Sequence, residues 1–394
     1  MNRPFVALLA ALFAGGVAAS PIRTLLPAYV EGVLRQPPFL TSVLLAIQLG
    51  TGGAFALLAG SVAARFGQRA TVLCGLMTPL VGASLFVMGA PPLLVLAALL
   101  WGVAGGFQSA GGQSFMIAAV RKERLGTASA AYFVSSTAAS AVGAYAAGVA
   151  ADRLGYRVVA AGAAALGATA LALAWRFLPA FAESAPATAT TKRSGAYSDL
   201  LQRPEILALC AVRYFPTVAW GAASLTIPLL LFRLGGGAAA TVGAYGTVSL
   251  LCATGAQLAT GRLVDLRGSV RPLLAPLTGA IIVSAALAAL AVQAGAFYPL
   301  FAAGTLWTMS AWGLSTTMPP LIRELSAPLP DGRDRLVGLA HLMWSAGMLT
   351  GTLAAGLLIE LSPVGPLLLA LGCLLVTFAV AVWVTTVRRE LAGA

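Results

Sequence analysis

Charge is what this sequence has least of: 9% of its 394 residues are Asp, Glu, Lys or Arg, against 59% hydrophobic. Soluble domains carry about a quarter charged residues. A water-soluble chain of this length needs polar side chains over most of its surface, and 24 basic and 12 acidic residues cannot supply them. Lipid must cover the rest.

Histidine is nearly absent, with one copy (His341), and the four cysteines (Cys74, Cys210, Cys252, Cys373) all lie in apolar stretches with no CxxC pair. That excludes a Cys/His metal site and a disulfide framework and leaves the thiols as small packing groups. An intramembrane enzyme needs a nucleophile–base or metal constellation in its helices. With one histidine and no acid at a helix centre, no enzyme activity, cofactor or metal is expected. Only Lys122 and Lys192 are lysines, a bias that reflects GC-rich coding. The net charge of +12 does not signal a nucleic-acid partner, because the basic residues stand singly or in pairs rather than in one patch. Gly50-Thr51-Gly52 follows no strand and is a helix-packing glycine pair, not a dinucleotide site.

What is present is a series of apolar runs. A bilayer span takes roughly 20 apolar residues. Charges, Pro/Gly clusters and length place spans near 5–30, 39–63, 71–90, 93–118, 126–150 and 158–178, then 205–232, 240–261, 272–293, 297–322, 336–360 and 364–387. Met1-Asn2-Arg3 with the run to Ser20 has the look of a signal peptide, but the run continues to Val30 and is read as a retained first helix. The expected domains are therefore 1–178, a cytoplasmic linker at 179–204 rich in Ala, Thr and Ser, and 205–394.

Loop charge sets the orientation. With the N-terminus inside, the inner segments carry Arg3, Arg65, Arg69, Arg121, Lys122, Arg124, Arg176, Lys192, Arg193, Arg203, Arg262, Arg267, Arg271, Arg323, Arg333, Arg335, Arg388 and Arg389. The outer loops hold Arg35, Arg153, Arg157 and Arg233 alone. Basic residues accumulate on the cytoplasmic side. Both termini are thus expected in the cytoplasm, in a multi-pass protein of the cell inner membrane.

The chain also repeats itself. Pro27, Gly60 and Gly67 recur as Pro228, Gly261 and Gly268 at an offset of 201; Trp101-Gly102 and Arg124-Leu125 recur as Trp312-Gly313 and Arg335-Leu336 at an offset of 211. The segment Gly60-Ser61-Val62-Ala63-Ala64-Arg65-Phe66-Gly67-Gln68-Arg69 lies between the second and third spans. It resembles the signature loop of the major facilitator superfamily, where a glycine, an acid, a basic residue and a second glycine precede a basic pair. A second copy, Gly261-Arg262-Leu263-Val264-Asp265-Leu266-Arg267-Gly268-Ser269-Val270-Arg271, lies between the eighth and ninth spans. The first copy has Ala64 in the acid's place; the second keeps Asp265. The resemblance implies an all-α membrane protein of twelve transmembrane helices in two pseudo-symmetric six-helix bundles, with helices 1, 4, 7 and 10 around a cavity. It also implies a gating role for Gly60, Arg65, Gly67, Arg69, Gly261, Asp265, Gly268 and Arg271, with Asp265 as the latch. Two signatures of drug–proton antiporters are absent: Ala98 stands where their helix 4 arginine belongs, and Gly143 and Gly148 lack the helix 5 proline.

All twelve acids fall in loops or at helix ends, among them Glu31, Glu205 and Glu360. Two arginines, Arg23 and Arg213, fall inside spans, where an ionisable residue marks function by default. Gly16, Ser20, Arg23 and Pro27 share one helical face, as do Arg213, Thr217, Gly221, Ser224 and Pro228, and the two faces correspond under the 201 offset. Arg23 maps to Ser224, eleven residues from Arg213. At about 1.5 Å per residue that is roughly 16 Å, so one phosphate does not bridge both. The candidate substrate-binding set is Arg23, Gln48, Gln108, Arg213, Thr217, Trp220, Ser224 and Trp312. The expected function is a secondary transporter, a monomer touching only lipid and a small-molecule substrate, that exports amphipathic compounds by alternating access. The alternative is a facilitator or exchanger of an organic anion using Arg23 or Arg213.

Overall fold

The computed structural model describes residues 3–88, 90–119, 125–179, 200–267, 269–326 and 332–392. Among these it has thirteen α-helices and one short 3-10 turn (Ser84–Phe86), and no strand. They are α1 (Arg3–Gly32), α2 (Pro38–Gly75), α3 (Thr78–Ala83), α4 (Pro91–Ala119), α5 (Leu125–Leu154), α6 (Tyr156–Phe177), α7 (Pro204–Leu234), α8 (Ala239–Arg267), α9 (Arg271–Gln293), α10 (Phe297–Thr316), α11 (Met318–Ser326), α12 (Gly332–Leu361) and α13 (Gly365–Ala392). Helices are the form in which a lipid-embedded chain satisfies its backbone within each segment.

Eleven helical stretches are long and apolar enough to cross a membrane. Of the twelve expected spans, the one at 297–322 is missing from that set. It divides into α10 and α11, and α10 is diluted by Thr305, Trp307, Thr308, Trp312 and Ser315. Pro319 and Pro320 cause the division, because they offer no N–H to the carbonyls of Ser315 and Thr316.

Two further backbone events have local causes. α2 runs through the second and third expected spans, and its helical geometry fails only at Gly67 (φ 80°, ψ 157°). The loop expected there is thus one glycine wide. Beyond Gly75, Pro79 deprives the Gly75 carbonyl of its helical donor; the Thr78 hydroxyl donates to that carbonyl instead, at 2.5 Å.

The chain forms two compact units: Met1–Lys192 with Gly235–Leu251, and Arg193–Leu234 with Cys252–Ala394. This differs from the expected division at 179–204, because the first half of α8 goes with the first unit. The reason is a seam of small residues between α5 and α8. A Cβ at Gly148 would lie 2.6 Å from the Ala239 carbonyl oxygen, and Gly243 likewise sits against the Ala144 carbonyl. The Thr247 hydroxyl donates to Ala141 O and accepts from Tyr145 N–H. At the seam's end, Asp152 accepts the Ala239 and Ala240 amides, both at 2.7 Å. A carboxylate opposes the dipole at the C-terminal end of its own helix, and the N-terminus of α8 reverses that sign.

Small residues also set the packing elsewhere. In the first unit a Cβ at Gly102 would sit 2.5 Å from the Gln48 carbonyl, which brings α4 onto α2. In the second, Cβ atoms at Gly221 and Gly347 would meet Met348 O at 2.7 Å and Tyr214 O at 2.6 Å, so α7 and α12 run backbone to backbone.

The two signature-loop glycines differ in what they require. At Gly67 a side chain meets nothing within 4 Å, so the demand is conformational; at Gly261 there is equal space and no left-handed φ. Open space surrounds Gly261, so no close helix approach depends on it. Gly67→Ala should lower stability by about 1–3 kcal/mol. Gly261→Ala, inside a helix, should be neutral or gain up to about 1 kcal/mol. Thermal unfolding of the purified variants checks the pair, and equal losses would contradict this reading.

Candidate functional site

In the first unit Arg23, half-buried on α1, reaches α2 and α4. Its Nη2 donates to Gln48 Oε1 at 2.8 Å, and its guanidinium lies 5.9 Å from the ring centre of Trp101. Gln48 and Trp101 are both buried. Gly105 keeps a clear space beside the Gln48 amide, where a Cβ would come within 3.3 Å of Nε2. A guanidinium over an indole face gains a cation–π attraction that strengthens as water is excluded. Trp101 was not among the residues singled out from sequence, although its Trp-Gly pair belongs to the repeat. Gln108 does not join the Arg23 group through any hydrogen bond; its backbone lies under Gly75.

In the second unit Arg213 on α7 donates through Nη1 to Ser315 Oγ on α10 at 3.4 Å. His341 on α12 is within electrostatic reach of Arg213. Trp220 and Trp312 form an edge-to-face pair, with centroids 6.4 Å apart and planes at 73°. The Trp312 indole N–H is shielded from solvent and has no hydrogen-bond partner.

Two sequence candidates sit elsewhere. Thr217 is 5% exposed and packed on Gly347 of α12, and its hydroxyl donates to Arg213 O at 2.6 Å. Ser224 donates to Gly221 O at 3.0 Å, within its own helix. Thr217 and Gly221 of this face therefore pack α7 on α12. Small and hydroxylated residues give the same pattern on a close-packed helix face as on a wet one. Ser315, which sequence reasoning missed, receives Arg213 where the α10 helix ends.

Among the described residues neither Arg23 nor Arg213 has an acidic partner. Of the described acids, Asp152 holds the start of α8, and Glu324 holds the start of α9. Glu324 Oε2 accepts from Arg271 Nε and its Oε1 from the Val270 amide, each at 3.1 Å. Arg271, a signature-loop residue, is thereby fixed by an acid 53 positions away that sequence reasoning did not connect with it. Its counterpart Arg69 turns instead to α6, donating to Trp175 O with its guanidinium 5.3 Å from the Trp175 ring centre. That cation at a helix C-terminus meets freed carbonyls. The side chains of Gly60, Arg65 and Asp265, and the whole of Gly268, lie outside the described residues.

Over residues 5–329 the chain matches the sequence pattern of the Major Facilitator Superfamily. The chain belongs to the Major Facilitator Superfamily. It is accordingly a multi-pass membrane protein and a secondary transporter. No curated protein is similar enough to the chain to match it.

Within this transporter the Arg271–Glu324 pair keeps some contact with solvent, with the two side chains 14% and 28% exposed, so its contribution is modest. Glu324→Ala and Arg271→Ala should each cost about 1 kcal/mol. The double variant should cost no more than the larger single loss. A thermal-unfolding double-mutant cycle measures this, and additive losses would mean that the pair is not coupled.

Proposed function

We propose that this transporter carries an amphipathic organic anion across the inner membrane by alternating access, with both termini in the cytoplasm. The observation that carries the reading is the pair of half-buried guanidiniums inside spans, Arg23 and Arg213, each held by neutral groups and neither matched by an acid among the described residues. Burying a cation without a counterion is expensive, and a bound anion removes that cost. Neutral anchors keep the guanidinium oriented without competing for its charge: Gln48 and Trp101 for Arg23, Ser315 for Arg213. The surplus of basic residues in alternate loops supports the orientation. The protein acts as a monomer without cofactor.

Proton coupling requires a titratable group that faces each side in turn. Among the described acids, Asp152 and Glu324 are engaged at helix termini, and Glu31, Glu205 and Glu360 stand at helix ends. Arginine stays charged at physiological pH. Transport is therefore facilitated flux or exchange driven by substrate gradients.

In proteoliposomes, Arg23→Gln and Arg213→Gln should each lower the initial uptake of organic carboxylates about tenfold or more. Uptake that survives both substitutions in folded protein would refute the anion reading. Collapse of the pH gradient should leave initial rates nearly unchanged. Concentrative uptake driven by an imposed pH gradient, and abolished by Glu31→Gln or His341→Ala, would refute the uncoupled mechanism.

A further inference from the structure

The two arginines sit in different chemical company. Arg23 is enclosed by Gln48 and a single buried indole. Arg213 stands at one end of a strip that continues into two half-buried tryptophans. On α7, Arg213 and Trp220 are seven residues apart and share a helix face; on α10, Ser315 and Trp312 are three apart and do the same. Arg213 touches Ser315, and Trp220 touches Trp312, so the two helices present a cationic end and an aromatic end side by side. At about 1.5 Å per residue, these ends are separated by one to two helical turns, roughly 5–10 Å.

Three features point to a ligand rather than to packing. The Trp220–Trp312 pair is half-buried, unlike Trp307 of the same helix, which is 1% exposed. The Trp312 N–H lacks an acceptor although it is shielded from solvent. An unmet buried donor costs about 1–3 kcal/mol, a cost that a bound acceptor removes. Finally, Trp312 occupies the position in the repeat that Trp101 holds in the first unit, but there the indole faces the arginine and is buried.

We infer that the second unit selects an aryl-substituted carboxylate with a short spacer, its carboxylate on Arg213 and its ring against Trp220 and Trp312. This rests on the anion reading above and narrows it. A ring meets the edge and face of the tryptophan pair, and its π face accepts the Trp312 N–H. An aliphatic acid of equal charge satisfies the arginine alone.

The test is calorimetric binding to the purified full chain with three probes: phenylbutyrate, octanoate and the uncharged phenylbutyramide. Phenylbutyrate should bind about tenfold tighter than octanoate, and the amide weakest. Trp220→Leu and Trp312→Leu should each bring the two carboxylates to near-equal affinity while both remain tighter than the amide. The milder Trp220→Phe guards against a folding defect and should keep most of the preference. Arg213→Gln should weaken both carboxylates and leave the amide unchanged. Equal affinity for the two carboxylates, or a preference that survives both leucine variants, would overturn the aryl assignment and leave the anion reading standing. Amide binding as tight as phenylbutyrate, unaffected by Arg213→Gln, would overturn both, as would no binding of any probe.

Discussion

A half-buried guanidinium among membrane helices must be oriented and neutralised, and the described residues of this chain supply the first without the second. Its 12 acids against 24 basic residues leave few counterions, and two of the described ones, Asp152 and Glu324, are committed at the starts of other helices. Asp152 and Glu324 each bond backbone amides at the start of another helix, where the dipole favours an anion. Neither is available to Arg23 or Arg213. The uncompensated cations, the neutral side chains that hold them and the proposed anionic cargo follow from that one shortage.

The arginines keep their places because the helices around them pack on small residues. Lipid gives no hydrophobic drive for one helix to seek another, so close backbone contact has to do it. Gly102 lets α4 settle on Gln48, the residue that accepts from Arg23. Gly221 and Gly347 seat α7 on α12, which fixes the helix that carries Arg213 and Trp220. The positions that hold the two cations are thus built by glycines that touch no ligand. Gly67 has a different task, allowing a backbone turn that other residues adopt only under strain.

Eleven of the twelve spans and the superfamily were legible in the sequence, since each rests on composition or on a motif. Among the described residues, the lack of an acid beside Arg23 and Arg213 accords with a sequence whose acids fall in loops or at helix ends. The α7 face was ambiguous: Thr217 and Gly221 have the spacing of a cavity wall, and that spacing also describes a helix interface. What separates the two is the neighbour, and α12 lies more than a hundred residues away in the chain. Asp152 held a usable signal, since an acid at a helix C-terminus opposes its own dipole and calls for an external partner. The Arg271–Glu324 pair had a weaker one, a charge just beyond a span and a basic loop with no acid fixed to it. The apolar dilution of α10 by Thr and Trp marked the helix that carries Trp312 and Ser315.

The central claim is that the buried arginines are completed by an anion. It is tested most directly by thermal unfolding of the wild-type protein and of the Arg23→Gln/Arg213→Gln variant, at constant ionic strength, with a carboxylate or its uncharged amide. A ligand that binds the folded state raises the unfolding temperature with its occupancy. The account predicts a saturable rise with the carboxylate, little with the amide, and no carboxylate-specific rise in the double variant. Equal shifts from carboxylate and amide, or a carboxylate shift that persists without both arginines, would contradict it.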